Sequence, residues 1–328
     1  GFCKVRSYNP RTGMESLLVA PVSKASADQR AGRSGRTGPG KCFRLYTEYN
    51  FRKDLDDDMV PEIQRSNLAS VVLALKTLGI NDLVSFDFMD PPAAESVIRA
   101  LEELFALGAL NSRGELTKTG RRMAEFPLDP MLSKAIVASE MYGCSEEVIT
   151  IASMLSAGNA VFYRPKDKQV HADAARRGFH ADNVGDHIAL LNVYSAWKES
   201  GYSPQWCREN FVQQRTMRRA RDVRDQLESL LERVEIAPCS SAGDHDAVRK
   251  AITAGYFRHA ARLQRDGSSY APSRAGRRQV TELKPEWLVE IAPHYYERKD
   301  VELASSQGGR AHNTDRRRHR HVDSYFDV

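Results

Sequence analysis

The sequence has few cysteines and no long apolar run. Its five cysteines lie far apart in 328 residues, with no Cys-x-x-Cys pair and no histidine at zinc-finger spacing. This pattern argues against a disulfide scaffold and predicts no metal site. No apolar run approaches the roughly twenty residues that a bilayer-spanning helix needs, and no signal peptide opens the chain. We therefore expect no membrane partner.

Two nucleotide-binding motifs are also missing. The 328 residues contain no Gly-x-x-x-x-Gly-Lys-[Ser/Thr] phosphate loop and no Asp-Glu-Ala-His. The first motif cradles phosphates and the second would hold magnesium, so their absence argues against a self-contained nucleotide hydrolase. The formal net charge of +5 is compatible with nucleic-acid binding but supports it only weakly.

A short segment rich in arginine and glycine runs from Gln29 to Arg36. Its three arginines are spaced three residues apart, and Gly32 and Gly35 interrupt them. Glycine lets a phosphate approach the backbone closely, and a guanidinium can bind two phosphate oxygens at once, so the segment predicts an anion site. A disordered RNA-binding patch is the alternative, but the segment is short, unrepeated and set between apolar runs. The following Lys41 to Tyr46 is predicted to be a strand.

This segment resembles motif VI of superfamily 2 helicases in its DEAH-box form. Several further blocks are similar to the spliceosomal DEAH-box RNA helicases: Tyr8 to Leu17, Phe126 to Pro130, Phe162 to Lys166 and Gly185 to His187. Val248 to Phe257 looks closest to the branch that acts before the first splicing step. The resemblance covers residues 1 to 263 and resumes at 278 to 296.

The resemblance implies a mixed α/β and α fold in five parts. These are the end of a second RecA-like domain (1–50), a winged helix (51–120), a helical ratchet bundle (121–236), a truncated OB-fold (237–300) and a disordered basic tail (301–328). The OB-fold is expected to be truncated because only fifteen residues, Gln264 to Arg278, separate two family-like blocks. Tyr256, Phe257 and Trp287 to Val289 would then lack a closed barrel to join.

Periodicity and turn residues predict the local elements of the first two parts. Phe2 to Asn9 and Met14 to Val19 should form a hairpin around Pro10 to Gly13. Two helices should follow, capped by Ser66 or Asn67 and ended by Gly79 and Gly108. Their expected inner faces are Leu68, Val71, Val72, Leu75 and Leu78, then Val97, Leu101, Leu104 and Phe105.

The ratchet region shows longer apolar stripes. The expected stripes are Val148, Ile151, Ala152 and Leu155; His187, Leu190, Leu191, Tyr194 and Trp197; and Ala220, Val223, Leu227, Leu230 and Val234. Five arginines between Arg215 and Arg224 could face RNA. However, Asp222 and Asp225 lie four residues after Arg218 and Arg221, so intrahelical pairing within a solvated face is the favoured role for most of them.

The resemblance also implies roles in ATP hydrolysis. Gln29 would orient the attacking water or touch the γ-phosphate, while Arg33 and Arg36 would act as arginine fingers. Arg30 is expected to serve structure or interdomain contact. ATP and Mg²⁺ are the expected cofactors of the complete protein. We expect this chain alone to bind neither and to be inactive, because the family carries the phosphate loop and Asp-Glu-Ala-His on a first RecA-like domain.

Single-stranded RNA, such as pre-mRNA, spliceosome components and a G-patch activator are the partners that the resemblance implies, with a nuclear location. The expected RNA contacts are Arg11, Thr12, Asn159, Arg164, Lys166, Lys168, His187 and Arg215. A histidine on an apolar face is more often a core residue, so that alternative stays open for His187. An alternative function is a non-catalytic fragment that binds RNA or a G-patch protein.

Overall fold

A computed structural model describes residues 1–10, 13–158, 161–180, 185–263, 270–271, 280–297 and 324–327 of the chain. Within these ranges no helix is long and apolar enough to cross a membrane. The chain divides into two compact units, Gly1–Leu104 and Phe105–Val328. Each unit is described by itself.

The first unit begins with the predicted hairpin. Strand β1 (Phe2–Asn9) pairs antiparallel with strand β2 (Met14–Pro21), in a register that runs from Phe2↔Pro21 to Asn9↔Met14. The hairpin prediction is therefore confirmed. Gly13 has φ +68°, a conformation that glycine adopts without strain. The turn residues Arg11 and Thr12 lie outside the described residues.

Helix α1 (Lys24–Gly32) follows, and a 3-10 turn (Arg33–Gly35) continues it. The predicted strand from Lys41 to Tyr46 is wrong, because this stretch has no regular structure. Leu45 is 98% exposed and no described strand pairs with the stretch, so its backbone lacks the ladder that would make it a strand. Three further elements complete this part of the chain: α2 (Glu48–Lys53), a 3-10 turn (Glu62–Gln64) and α3 (Ala69–Thr77).

Helix α3 buries only part of the predicted face, which includes Leu68 and Val72. Val72 and Leu73 are buried, whereas Val71 and Leu78 are exposed. Leu68 occupies the N-cap position, but the predicted Asn67 lies just before it and its Oδ1 accepts a hydrogen bond from the Ala69 backbone N–H, the first of the helix, at 2.8 Å. The next helix, α4 (Ala94–Ala106), buries Val97 and Leu104 as expected but leaves Phe105 exposed.

The second unit is mostly helical. Its described helices after α4 are α5 (Lys118–Ala124), α6 (Pro130–Ser139), α7 (Ser145–Ser156), α8 (Gln169–Gly178), α9 (Asp186–Glu199), α10 (Pro204–Glu209), α11 (Gln214–Arg233), α12 (His245–Tyr256) and α13 (Pro285–Ile291). One apolar cluster joins α7, α9 and α11 around Trp197, which is 1% exposed. The predicted helical bundle is present, because these stripes bury against one another.

A four-stranded antiparallel sheet occupies the region where a truncated OB-fold was expected. Its order is β4 (Tyr270–Ala271), β3 (Ala260–Leu263), β6 (Ser324–Asp327) and β5 (Val280–Leu283). The tail was predicted to be disordered, and this is wrong for the four residues of β6. They pair with β3 and β5, which provide partners for their backbone N–H and C=O groups. The rest of the tail, residues 301–323 and 328, lies outside the described residues.

Two apolar runs assigned to a barrel are helical instead. Tyr256 ends α12, Phe257 begins a 3-10 turn (Phe257–His259), and Trp287 lies in α13. Pro285 opens α13, where its missing N–H costs no hydrogen bond. Trp287 is 5% exposed and packs among the cations of Arg249, Lys250 and Lys284, each within 5.6 Å of its ring centroid. These runs therefore bury their apolar groups without a barrel.

Candidate functional site

The three residues predicted to act on ATP lie in one continuous helical segment. Gln29 belongs to α1, Arg33 begins the 3-10 turn, and Arg36 follows with helical φ and ψ of −72° and −38°. Spacings of four and three residues place side chains on the same side of a helix. All three residues are exposed. Arg30 lies about 100° around the helix from Gln29, which fits its assignment to a different role.

Buried residues at the start of α1 hold this segment in place. Val22, Ser23 and Ala27 are each at most 4% exposed. Ser23 caps the helix, since its side-chain oxygen accepts a hydrogen bond from the Ser26 N–H at 3.1 Å. The Lys24 N–H donates to the Asp56 carbonyl at 2.8 Å. The start of α1 is therefore held by buried contacts, while Gln29 and the arginines after it are exposed to solvent.

Gly40 fixes the loop that follows the arginines. A Cβ built at this position would lie only 1.9 Å from the backbone oxygen of Ser34. No larger residue could hold the loop this close, so the glycine is required by its contact with the 3-10 turn. A Cβ built at Gly32, Gly35 or Gly38 would have no atom within 4 Å, so there is open space for a ligand beside the arginines.

Nearby carboxylates are occupied by other cations. Arg44 forms an ion pair with Asp28, and Lys24 forms one with Asp57 at 2.8 Å. The hydrogen bond from Lys24 lowers the pKa of Asp57. The guanidinium groups of Arg33 and Arg36 have no hydrogen-bond or ion-pair partner among the described residues. Their guanidinium groups can therefore bind an external anion through charge-assisted hydrogen bonds.

In the part of the chain that the structure describes, no group of three or more His, Cys, Asp or Glu side chains could hold a metal ion.

The predicted RNA contacts that the structure describes differ in their surroundings. Arg11, Thr12 and Asn159 lie outside the described residues. Lys166 and Lys168 are exposed, and neither forms an ion pair with a described residue. Arg164 is also exposed, but its Nε and Nη2 donate to the two carboxylate oxygens of Asp173 at 2.8 and 2.6 Å. The bond from Arg164 lowers the pKa of Asp173, and the pairing leaves Arg164 with less capacity for phosphate.

Helix α11 presents a more open cationic surface than the sequence indicated. Arg215, Arg218 and Arg219 are exposed and have no acidic partner among the described residues. The expected pairing of Arg218 with Asp222 is absent, and so is that of Arg221 with Asp225. The structure instead shows these three ion pairs and contacts: Arg221 with Asp222 at 4.0 Å, Arg224 with Glu228 at 3.0 Å, and Arg224 with Thr150 at 3.0 Å.

His187 lies in the core and not on an RNA-facing surface. It is 0% exposed, and its Nδ1 shares a hydrogen bond with the Thr281 hydroxyl of β5. The neighbouring Asp186 accepts from the Val280 N–H at 3.0 Å and lies 3.1 Å from His180 Nε2. A direct RNA contact by His187 is therefore incorrect for this conformation. Its hydrogen bond with Thr281 joins β5 to the amino-terminal end of α9.

Burial should make this histidine a source of pH-dependent stability. Removal from water lowers the pKa of His187 to about 4, so the folded chain keeps it neutral while the unfolded chain protonates it near pH 6.5. Stability should therefore fall as the pH drops from 6.5 toward 4. We expect this histidine to contribute a loss of about 2 kcal/mol between pH 7 and pH 5.

Urea unfolding at both pH values would measure this loss. His187→Gln should lower the free energy of unfolding by about 2 kcal/mol less at pH 5 than at pH 7, because the variant has no imidazole to protonate at this position. His171→Gln changes an exposed histidine on α8 and is the control, with an equal cost at both pH values. An equal cost for His187→Gln at the two pH values would contradict the prediction.

Two adjacent stretches in the middle of the chain match known helicase domains. Residues 100–128 match the winged-helix helicase associated domain (HA2), and residues 129–190 match the ratchet-like helicase associated domain (HA2). Helicase-associated domains of these two kinds occur in the carboxyl-terminal region of DEAH/RHA-type helicases. Such domains are typical of DEAH-box RNA helicases, which hydrolyse ATP.

The helicase-associated match begins within α4 and ends within α9. It therefore supports the predicted winged-helix and ratchet folds. Gln29, Arg33 and Arg36 lie before the matched residues, so their roles stay predictions. Arg218 and Arg219 were underestimated because only the structure shows that their side chains lack acidic neighbours. Thr281 could not be linked to His187 from sequence, since 94 residues separate them.

Proposed function

We propose that the chain is the carboxyl-terminal portion of an ATP-dependent 3′-5′ DEAH-box RNA helicase that remodels the spliceosome in the nucleus. The observation that carries the proposal is the pair of adjacent helicase-associated domains at residues 100–190. The spliceosomal assignment rests on the motif resemblance between residues 1 and 263. Substrate RNA would be pre-mRNA.

The arginine segment supports the ATPase part of the proposal. Gln29 would orient a water molecule, and the guanidinium groups of Arg33 and Arg36 would donate hydrogen bonds to phosphoryl oxygens. Their positive charge would stabilise the negative charge that develops during phosphoryl transfer. The phosphate loop and the ligands for Mg²⁺ would have to be supplied by another domain of the parent protein.

Three exposed arginines on α11 that have no acidic partner among the described residues support binding of the RNA backbone. Arg218 and Arg219 lie three and four residues after Arg215, so both side chains neighbour that of Arg215 on the helix surface. Phosphate contacts of this kind give affinity without reading base sequence. We therefore assign this side of α11 to the phosphates of single-stranded RNA.

RNA binding by the chain tests this assignment. We expect the triple substitution of Arg215, Arg218 and Arg219 by alanine to weaken binding to a single-stranded oligonucleotide at least about tenfold. A plot of log K against log salt concentration should become shallower by about two, since each lost phosphate contact removes about 0.7 from the slope. Fluorescence anisotropy at several salt concentrations would give both quantities.

Arg164→Ala provides the control for this experiment. It removes one exposed guanidinium that Asp173 already occupies through two hydrogen bonds. We expect a change in affinity below about twofold and no shift in the salt slope. If the triple variant kept the wild-type affinity and slope, the assignment of α11 to RNA would be wrong.

A non-catalytic function is the second candidate. Val71 and Leu78 are exposed, lie seven residues apart at α3, and could accept an apolar side chain from a G-patch activator protein. In this case the chain would capture RNA or its activator without ATP chemistry. Binding of a G-patch peptide that Val71→Asp and Leu78→Asp abolish, with no ATPase activity in the full-length protein, would favour this function.

A further inference from the structure

Two cysteines that are far apart in sequence meet at the start of α7. Cys144 directly precedes this helix. The main chain of Cys239 forms hydrogen bonds with Ser145 and Glu146, the first two residues of the helix. The Cys239 N–H donates to Ser145 Oγ at 2.8 Å, and the Cys239 carbonyl accepts from the Glu146 N–H at 3.1 Å. The second cysteine is thus fixed beside the first.

Their sulfur atoms have different surroundings. A Cβ built on Gly143 would lie 3.8 Å from Cys239 Sγ, so this sulfur lies against the residue before Cys144. Cys239 is exposed, whereas Cys144 is 0% exposed and its Sγ lies 3.9 Å from the Ser139 carbonyl oxygen. Both are free thiols. An oxidant from solvent would therefore reach Cys239 first.

The loop that carries Cys239 also caps α7. Glu147 accepts from the Ser241 N–H at 3.1 Å and from the Ser240 hydroxyl at 2.5 Å, and Ser145 Oγ lies 3.0 Å from the Ala237 carbonyl oxygen. Cys144 itself provides no side-chain cap. The first turn of the helix thus depends on this loop for hydrogen-bond partners.

We propose that Cys144 and Cys239 form a redox-sensitive pair, in which oxidation by a peroxide joins the two sulfurs and locks the capping loop onto α7. The inference stands on the contacts around these cysteines and is independent of the helicase function. A covalent link here would close a loop of about 95 residues, a length at which a disulfide restricts the unfolded chain strongly.

The chemistry requires one peroxide molecule for each pair. The Cys239 thiolate attacks a peroxide oxygen, the O–O bond breaks, hydroxide leaves, and Cys239 becomes a sulfenic acid. The Cys144 thiolate then attacks the sulfenic sulfur, the S–S bond forms, the S–O bond breaks and the departing hydroxide takes up a proton. The two cysteine sulfurs are oxidised and the peroxide is reduced to two water molecules.

The second step should be slow in the folded protein. Burial, together with the carboxylates of Glu147 and Asp244 and the thiol of Cys239, raises the pKa of Cys144 to about 12. Little thiolate is present at neutral pH, so the rate of disulfide formation should increase about tenfold for each unit of pH between 7 and 9.

Hydrogen peroxide treatment of the purified chain, followed by alkylation and peptide mass spectrometry, tests the proposal. We expect two peptides joined by a disulfide between Cys144 and Cys239, together with a rise in Tm of about 5 °C. Dithiothreitol should separate the peptides and reverse the rise in Tm. Cys239→Ser should abolish both results. Because Cys239 is exposed, this variant should still fold.

Cys42→Ser is the matched control, since Cys42 is another exposed cysteine. It should keep the cross-link and the Tm shift. Oxidation of Cys239 to a sulfinic acid with Cys144 unchanged would overturn the proposal. A disulfide that joins Cys239 to Cys3 or Cys42 instead would overturn it as well.

Discussion

Replacing Arg33 or Arg36 by alanine should lower ATP turnover of the full-length parent protein by about a thousandfold or more, the effect expected for an arginine finger. Both side chains are exposed, have no partner among the described residues, and lie on the same side of a helical segment as Gln29. Their loss should therefore remove transition-state stabilisation without disturbing the fold. Steady-state phosphate release in the presence of RNA would measure it.

Arg52→Ala is a suitable control for these variants. Arg52 is exposed on α2 in the same unit and is paired with Glu48, so its removal should change turnover less than about twofold. Arg36→Lys should rescue poorly, because an ammonium group cannot form a bidentate contact with a phosphoryl group. Less than a tenfold loss for both alanine variants would contradict the arginine-finger role. The chain by itself should release no phosphate.

Local patterns predicted the parts of the fold that depend on neighbouring residues. Pro10 and Gly13 between two extended runs indicated the hairpin, and Asn67 indicated the start of α3. In both cases the determining contacts lie within a few residues of one another. The arginines and glycines of residues 29–36 indicated an anion site, but the helical backbone that carries Arg33 and Arg36 was not predicted.

Distant contacts decided the elements that the sequence could not predict. Lys41 to Tyr46 has the composition of a strand but no described strand partner, while Trp287 finds its apolar surroundings against Arg249 on α12. His187 was predicted to contact RNA, but the structure shows it in the core, where it shares a hydrogen bond with Thr281, 94 residues away. A residue pattern shows which side chains are apolar or charged, but not which element covers them.

The packing of α6 against α12 leads to the second large expected effect. Gly255 lies in the last turn of α12, and a Cβ built there would lie 2.1 Å from the Met131 carbonyl oxygen and 3.1 Å from the Ala135 nitrogen. Both atoms belong to the backbone of α6, which Asp129 caps by accepting from the Met131 N–H at 3.0 Å. The two helices must separate to admit even a methyl group.

We therefore expect Gly255→Ala to lower the free energy of unfolding by about 2 kcal/mol or more, as overpacking does in a close-packed interior. Alanine normally stabilises a helix by up to about 1 kcal/mol relative to glycine, so the sign of the change is informative. Gly178→Ala on α8 is the matched control, because nothing lies within 4 Å of its Cβ position and it should be neutral or stabilising. Urea unfolding of both variants would measure the difference. If Gly255→Ala were as stable as the wild type, the close approach of α6 and α12 would be incorrect.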